Sequence, residues 1–379
     1  MSEPMRVGLV GTGGISNRHM NAYLAHPERV QLVAVCDIVE SRAQEYAQKA
    51  GVETIYLDYG EMLQKADIDA VDICTSHDLH APQAVAAAQA GKHVLVEKAM
   101  AHTLQGCREM IEAADISGVT LMVAQHLRYS PEAPAVKRFI DEGDIGEVQA
   151  VRTHAIMGGG RRPRKSWMSD GKHGGGILMV NSVHHLDLLR YYVGDVKRVN
   201  GICRTIESQM ANGAEDLFFA TLEFESGVIG DVYGNWTTRL APEGMSYMVY
   251  GSKGSLHSTP PLPENARGVN QFGPIMFALK TEEKDQIRSQ LPVLQAAGEE
   301  FSAEKVRELL DPGFEPLPTR EGDQPSTDFF INEILHWEEC CRTGAEPISS
   351  GRDNIGTMKI IFGILESSRT GRTIDLDDL

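Results

Sequence analysis

Lys98 is the side chain in this sequence whose setting most invites chemistry. It follows Val94-Leu95-Val96-Glu97, a run with the character of a buried strand, and an ammonium at the tip of such a strand is costly to bury without a task. Near a positively charged ring its pKa would fall, which would suit it to exchange a proton with a hydroxyl. A second feature would bring such a ring. Val7–Val10 runs directly into Gly11-Thr12-Gly13-Gly14-Ile15-Ser16. The first glycine permits a tight turn, and the second lets the backbone approach a pyrophosphate at a helix N-terminus. Gly11, Gly13, Gly14 and Ile15 are therefore expected to hold a dinucleotide. Ser16 stands where a third glycine or alanine is usual and is small enough for the same close packing. The next apolar run closes on Asp37. An acidic group there accepts hydrogen bonds from the adenosine ribose and repels a 2′-phosphate, so NAD is expected in preference to NADP. Arg42, a few residues on, reads as part of a solvated helix face.

The elements that must position these residues alternate. Val7–Val10, Leu32–Cys36, Ala70–Thr75, His93–Glu97 and Leu121–Ala124 have the apolar continuity of buried strands. Ser41–Ala50, Tyr59–Gln64, Ala81–Ala90 and Thr103–Ser117 carry helical patterns between them. Such alternation predicts a doubly wound parallel sheet with helices on both faces. Ligands in these sheets lie beyond the carboxyl ends of the strands. Thr75, His77 and His80 after one strand, and Glu97 and Lys98 after the next, should therefore share one cleft.

Beyond residue 127 the pattern changes. A helix near Pro134–Glu142 and a strand over Val148–Met157 lead into a glycine and arginine loop, then a helix near Gly176–Tyr192. Val199–Ile206, Leu217–Phe224, Val228–Asn235 and Tyr247–Tyr250 read as a mainly antiparallel sheet, with Glu225-Ser226-Gly227 as a hairpin turn. Residues 258–328, rich in Pro, Gly and charge, read as a loop-and-helix excursion. Helices near Phe329–Thr343 and Asn354–Thr370 close the chain and pack back on the body. The expected organisation is an N-terminal Rossmann domain, 1–127, and an α+β domain with a large open sheet, 128–379.

A formal charge of −17 repels phosphate backbones and anionic lipid, which argues against nucleic acid or membrane as the main partner. No run approaches the roughly 20 apolar residues that span a bilayer. The start, Met-Ser-Glu-Pro, lacks the basic and apolar regions of a secretory signal. Six cysteines form no CxxC pair, as in a reduced, cytoplasmic protein. The thirteen histidines do not combine with Cys or carboxylates at zinc spacing, so no structural metal is expected.

Four stretches taken together carry a resemblance. VGLVGTGGIS, ICTSHDLHAPQAVAAAQAGKHVLVEKA, GGGILMVNSVHHLD and the closing RTGAEPISSGRDN with ESSRTGR resemble the Gfo/Idh/MocA oxidoreductases over nearly the whole chain. That is the family of glucose–fructose oxidoreductase and the inositol dehydrogenases. The resemblance implies an NAD-binding Rossmann domain, then a substrate domain whose open sheet mediates assembly into a homodimer or homotetramer. It implies that Lys98 of the EKP-type motif lies at the reaction centre with Glu97 near the nicotinamide ribose, although Ala99 replaces the motif's proline. His77 takes the place of an Asn near the cofactor, and His80 is expected to cap the following helix. On the helix after Gly174-Gly175-Gly176 the family has an Asp and a His four residues apart, on one face. Here the His is His184, but the Asp position holds Val180. Asn181 and His185 are candidates to compensate, and Asp187 to orient the imidazole.

The resemblance thus implies hydride transfer between nicotinamide and a ring CH–OH or C=O of a sugar, inositol, sugar acid or related cyclic polyol. Lys98 would carry the proton and His184 would polarise the oxygen. Arg161, Arg164 and Trp167, in a basic island of an acidic chain, are candidates to contact the substrate, which would be anionic if the arginines bind it. His126, Arg128 and Tyr129, at the crossover between domains, are further candidates. Three alternatives remain open here: a cis-dihydrodiol dehydrogenase acting on a carboxylated ring, a redox-assisted glycoside-cleaving enzyme, and a non-enzymatic NAD-binding regulator.

Overall fold

The protein is described by a computed structural model covering residues 3–156, 166–238, 246–258, 275–279, 315–317 and 328–379. Arg161 and Arg164 lie outside the described residues, as does most of the predicted excursion.

The first sheet contains six parallel strands: β1 (Met5–Val10), β2 (Val30–Cys36), β3 (Thr54–Tyr56), β4 (Ala70–Ile73), β5 (His93–Glu97) and β6 (Leu121–Ala124), in the order β3-β2-β1-β4-β5-β6. Every residue of β4 and β6 is buried, as continuous apolar strands between two helical layers must be. Helices α1 (Ser16–Ala25), α2 (Glu40–Ala50), α3 (Tyr59–Lys65), α4 (His77–Gln89) and α5 (Leu104–Ser117) supply those layers. Strand order reverses direction between β1 and β4, so the ligand crevice of a doubly wound sheet falls beyond their carboxyl ends. Two features differ from the sequence reading. The short β3 carries too few residues to give a period, and α4 begins four residues before Ala81. Pro82 would suit a first turn, yet it lies inside this helix. Buried contacts of His77 and His80 hold the added turn in place.

A 3₁₀ turn, His126–Tyr129, and α6 (Glu132–Asp141) lead into the second sheet. Its nine strands are β7 (Val148–Ile156), β8 (Val196–Arg204), β9 (Leu217–Phe224), β10 (Ile229–Asn235), β11 (Ser246–Gly251), β12 (Gly254–Ser258), β13 (Ile275–Leu279), β14 (Glu315–Pro316) and β15 (Ile374–Asp375). They run in the order β14-β13-β12-β11-β7-β10-β9-β8-β15, antiparallel except where β7 pairs with β10. Strands β13 and β14 fall inside the stretch expected to be loop and helix.

One face of this sheet is covered by α7 (Val183–Val193) and by α9 (Gly351–Thr370). Gly201 of β8 lies so close to α9 that a Cβ there would stand 2.8 Å from Ile364. Among the described residues the other face is uncovered, with Ile202, Phe219 and Ile229 more than half exposed. Helix α8 (Phe329–Thr343) crosses back to pack on α1 of the first sheet. It buries Trp337 and Phe330 almost completely, each worth about 1.5–3 kcal/mol of transfer free energy.

Candidate active site

At the phosphate end, the turn after β1 is built by packing. A Cβ on Gly11 would sit 2.7 Å from the Cys74 carbonyl, and its φ of +91° is one that L side chains avoid. Around Gly13 and Gly14 the situation is reversed: an added Cβ would meet nothing within 4 Å. Ile15 precedes α1, whose N-terminus has no side-chain cap, so its amides and its dipole are available to an anion. Asp37 sits where β2 meets this loop. Its Oδ2 accepts from the Thr12 amide at 2.9 Å and hydroxyl at 2.8 Å, and its Oδ1 accepts from the Val39 amide. Open glycines, an uncapped helix and a carboxylate at the ribose position fit a dinucleotide.

At the other end of the cleft, the tips of β4, β5 and β6 meet the helix that follows Gly174-Gly175-Gly176. Lys98, just past β5, is half-buried and donates from Nζ to the Val180 carbonyl at 2.9 Å. Leu178–Ser182 is a single π-helical turn that runs into α7. Such a turn frees carbonyls from the regular ladder. The position lacking the expected carboxylate thus offers a backbone oxygen instead. His184, one turn on, is fully buried, and its Nδ1 has no hydrogen-bond partner in the structure. Burial, then the charges of Lys98 and His126, hold its pKa well below the ordinary imidazole value. Burial also lowers Lys98, against the pull of Glu97. Both groups are therefore poised toward their neutral forms.

Glu97 takes part in an arrangement with no obvious signature in the sequence. Its Oε1 lies 3.1 Å from His19 Nε2, while His19 Nδ1 lies 2.9 Å from Asp72 Oδ2, and all three residues are buried. Tyr23 donates to the same Asp72 oxygen at 2.8 Å. Burial opposes charge on His19, but Asp72 overrides it and raises the imidazole well above its ordinary value. Burial likewise pushes Glu97 up, yet the His19 hydrogen bond and the Lys98 charge bring it to about 2. An imidazolium between two carboxylates thus keeps Glu97 ionised and still. Asp72 within the apolar run Ala-Val-Asp-Ile was the one hint of it.

Residues 5–125 match the family described as the Gfo/Idh/MocA oxidoreductase family, NAD-binding Rossmann fold. Residues 137–376 match the α/β C-terminal domain of the same family. The chain belongs to the Gfo/Idh/MocA oxidoreductase family. As a member, it is an NAD-dependent oxidoreductase with an NAD-binding Rossmann domain. It is 28% identical to D-apiose dehydrogenase of Paraburkholderia graminis, over 98% of this chain and 89% of that protein. It is 26% identical to scyllo-inositol 2-dehydrogenase (NAD(+)) of Bacillus subtilis, over 100% of this chain and 98% of that protein. A solved levoglucosan dehydrogenase, in complex with NADH and levoglucosan, has the same fold: TM-score 0.81 at 22% identity, covering 98% of this chain and 99% of that one.

Several of the candidates read from the sequence have other tasks in this structure. Arg128 does not face a substrate. It is buried and grips Asp187 with Nε at 2.6 Å and Nη2 at 2.7 Å, and it also donates to the Ile348 carbonyl. Asp187 also accepts from Thr357 of α9 at 2.9 Å, so it anchors helices and does not orient His184. Tyr129 is buried with its hydroxyl 2.9 Å from Ser349 Oγ. His185 points to the sheet, its Nδ1 2.9 Å from Thr153 Oγ1, because adjacent helical residues diverge by about 100°. Asn181 accepts from the Trp236 indole at 2.9 Å.

The residues placed after β4 line the cleft as struts. Thr75 donates to Gln83 Oε1 at 2.6 Å. His80, buried, spans from the Ala99 carbonyl at 2.9 Å to the Thr75 carbonyl at 3.1 Å and does not cap its helix. His77 bridges the two sheets' domains: Nδ1 donates to the Gly174 carbonyl at 2.8 Å, and Nε2 accepts from the Ala99 amide at 3.1 Å. The Lys98–Ala99 peptide bond is cis. Trp167 lies edge-on to His77, 4.8 Å between ring centres, beside this turn and not over Lys98.

Proposed function

We propose that this enzyme moves a hydride between nicotinamide and a ring CH–OH or C=O of a sugar, inositol or related cyclic polyol, with Lys98 as proton carrier and His184 polarising the oxygen. One observation supports this above the others. Lys98, from the tip of a Rossmann strand, and His184, from the second domain, are linked through a single short hydrogen bond to Val180, one helical turn from His184. The named activities of the apiose and scyllo-inositol dehydrogenases point to the same class of substrate.

NAD, held by Gly11, Gly13, Gly14, Ile15 and Asp37, would supply a hydride acceptor beside Glu97 and Lys98. A neutral Lys98 amine can donate one N–H to the Val180 carbonyl and still present its lone pair to a substrate hydroxyl. Taking that proton makes it an ammonium, which Glu97 stabilises. A neutral His184 donates one hydrogen bond to the same oxygen and holds it in place. Residues 1–127 would form the cofactor half and residues 128–379 the substrate half. We further propose that the protein is a cytoplasmic homo-oligomer assembled through the open sheet face.

A Lys98→Met variant tests the mechanism. NADH affinity, read by cofactor fluorescence, should change little, while polyol-dependent NAD reduction should fall about 10²- to 10⁴-fold. Turnover equal to that of the parent would remove Lys98 from the chemistry. The assembly has a separate test. Phe219→Asp, on the open face, should lower the mass seen by light scattering and leave NADH binding intact; an unchanged mass would move the interface elsewhere.

A further inference from the structure

Near Lys98 and His184 lies a buried group to which the proposed mechanism gives no role. His126 stands in the 3₁₀ turn that leaves β6, 2% exposed, and both its ring nitrogens lack a hydrogen-bond partner in the structure. Its ring meets His184 edge-on, with centres 4.4 Å apart. Phe330 and Phe329 stack on it at 4.6 and 5.3 Å. Phe329 and Phe330, 5.1 Å from each other, pack side by side against the imidazole, and these rings and His184 offer its nitrogens no hydrogen-bond partner. Polar atoms buried in this way normally have a partner, and exceptions beside a site call for a ligand group. Three such nitrogens, two on His126 and one on His184, belong to rings whose centres are 4.4 Å apart.

The chemistry of the pair defines what fits. Burial and Lys98 hold His126 at about 3, and His184 is likewise neutral. A neutral imidazole donates once and accepts once, which matches a hydroxyl and offers nothing special to an anion. One imidazole serves the reacting oxygen, and its neighbour is in contact with it. We propose that His126 holds a second substrate hydroxyl, on the ring carbon next to the one that is oxidised, so the site selects substrates with two adjacent hydroxyls. This inference rests on the polyol reading of the same site. It also gives a chain that lacks the usual Asp a second polar group in contact with His184.

His126→Phe keeps the aromatic stack and removes both nitrogens, and His126→Asn keeps polarity should the first variant fold poorly. The experiment compares the parent's best polyol substrate with its deoxy analogue lacking the neighbouring hydroxyl. For each variant it measures kcat/KM, calorimetric affinity of both compounds for the enzyme–NADH complex, and NADH affinity alone. The expected result is a loss of about 10- to 100-fold in kcat/KM and in ternary affinity for the polyol. The deoxy analogue should show almost no further loss, and NADH affinity should stay within about twofold. Equal losses on both compounds, or no loss on either, would overturn the proposal. So would a fall in NADH affinity, which would assign His126 to the cofactor's carboxamide. A parent enzyme that oxidises no sugar or polyol would sink the functional reading first, and this inference with it.

Discussion

Val180 brings no side-chain chemistry, yet its carbonyl is the group that holds Lys98 Nζ. The exchange has a consequence for acidity. A carboxylate at this position would favour the ammonium and raise the Lys98 pKa, whereas a carbonyl dipole leaves burial to dominate and lower it. Polyol oxidation needs the free amine, so its rate should rise with pH and level off below the ordinary lysine range. Val180→Asp should move that plateau to higher pH, and a kcat profile unaltered by the change would separate Val180 from the proton carrier. The site was legible in the sequence wherever chemistry is local. The strand–glycine–helix run and Lys98 at a strand tip depend on neighbours in the chain, whereas His184 was reached through the family resemblance. Arg128 and His185 were misread because what decides their role is remote. Asp187 lies 59 residues from Arg128, and no local pattern announces such a pair. His19 was missed for the same reason, its partner Asp72 lying 53 positions on.

At the scale of elements, the helix that carries Val180 and His184 is tied down at its start. Glu215, fully buried, accepts from the Leu178 amide at 2.8 Å, so a carboxyl from the strand connection caps the π-helical turn. Gly176 makes room for it: at φ +116°, a Cβ there would lie 2.4 Å from Glu215 Oε2. Burial raises the Glu215 pKa from 4.5 to about 8, outweighing the Leu178 hydrogen bond. The folded chain therefore keeps this proton over a window in which the unfolded chain has lost it. With fewer protons on the unfolded state, stability falls as pH rises from about 4.5 to about 8. Glu215→Gln keeps an acceptor oxygen and has no proton to lose. Its melting temperature should gain on that of the parent between pH 5 and pH 8, and a constant gap across that range would show that Glu215 is already ionised. Most elements were readable because their apolar runs are long. The exceptions were the short β3, β12 and β15, the strands β13 and β14 in a Pro- and Gly-rich stretch, and the switch from π- to α-helix, which tertiary bonds impose.

Across the whole molecule, the two sheets are held at opposite sides of the cleft by bonds from residues of different origin. His77 reaches the Gly174 carbonyl, Lys98 the Val180 carbonyl, and Arg128 grips Asp187. The Arg128–Asp187 pair is the strongest of these links. It is bidentate and 2% exposed on both sides, with the guanidinium carbon 5.2 Å from the Tyr191 ring centre. Removing Arg128 would cost about 3–5 kcal/mol, because the buried Asp187 charge is then stranded, whereas Arg128 itself also has Asp353 at 2.8 Å. On the open sheet face the ion pairs Arg152–Asp231 and Arg198–Glu223 are half-exposed, and Phe219 stacks on Tyr233 at 4.1 Å, with Ile202 opposite Phe219 across the ladder. A cleft riveted across its floor acts as a gauge of fixed width. Discrimination among ring sugars that differ at one stereocentre then depends on which oxygens meet the waiting nitrogens, and not on how tightly two halves can shut.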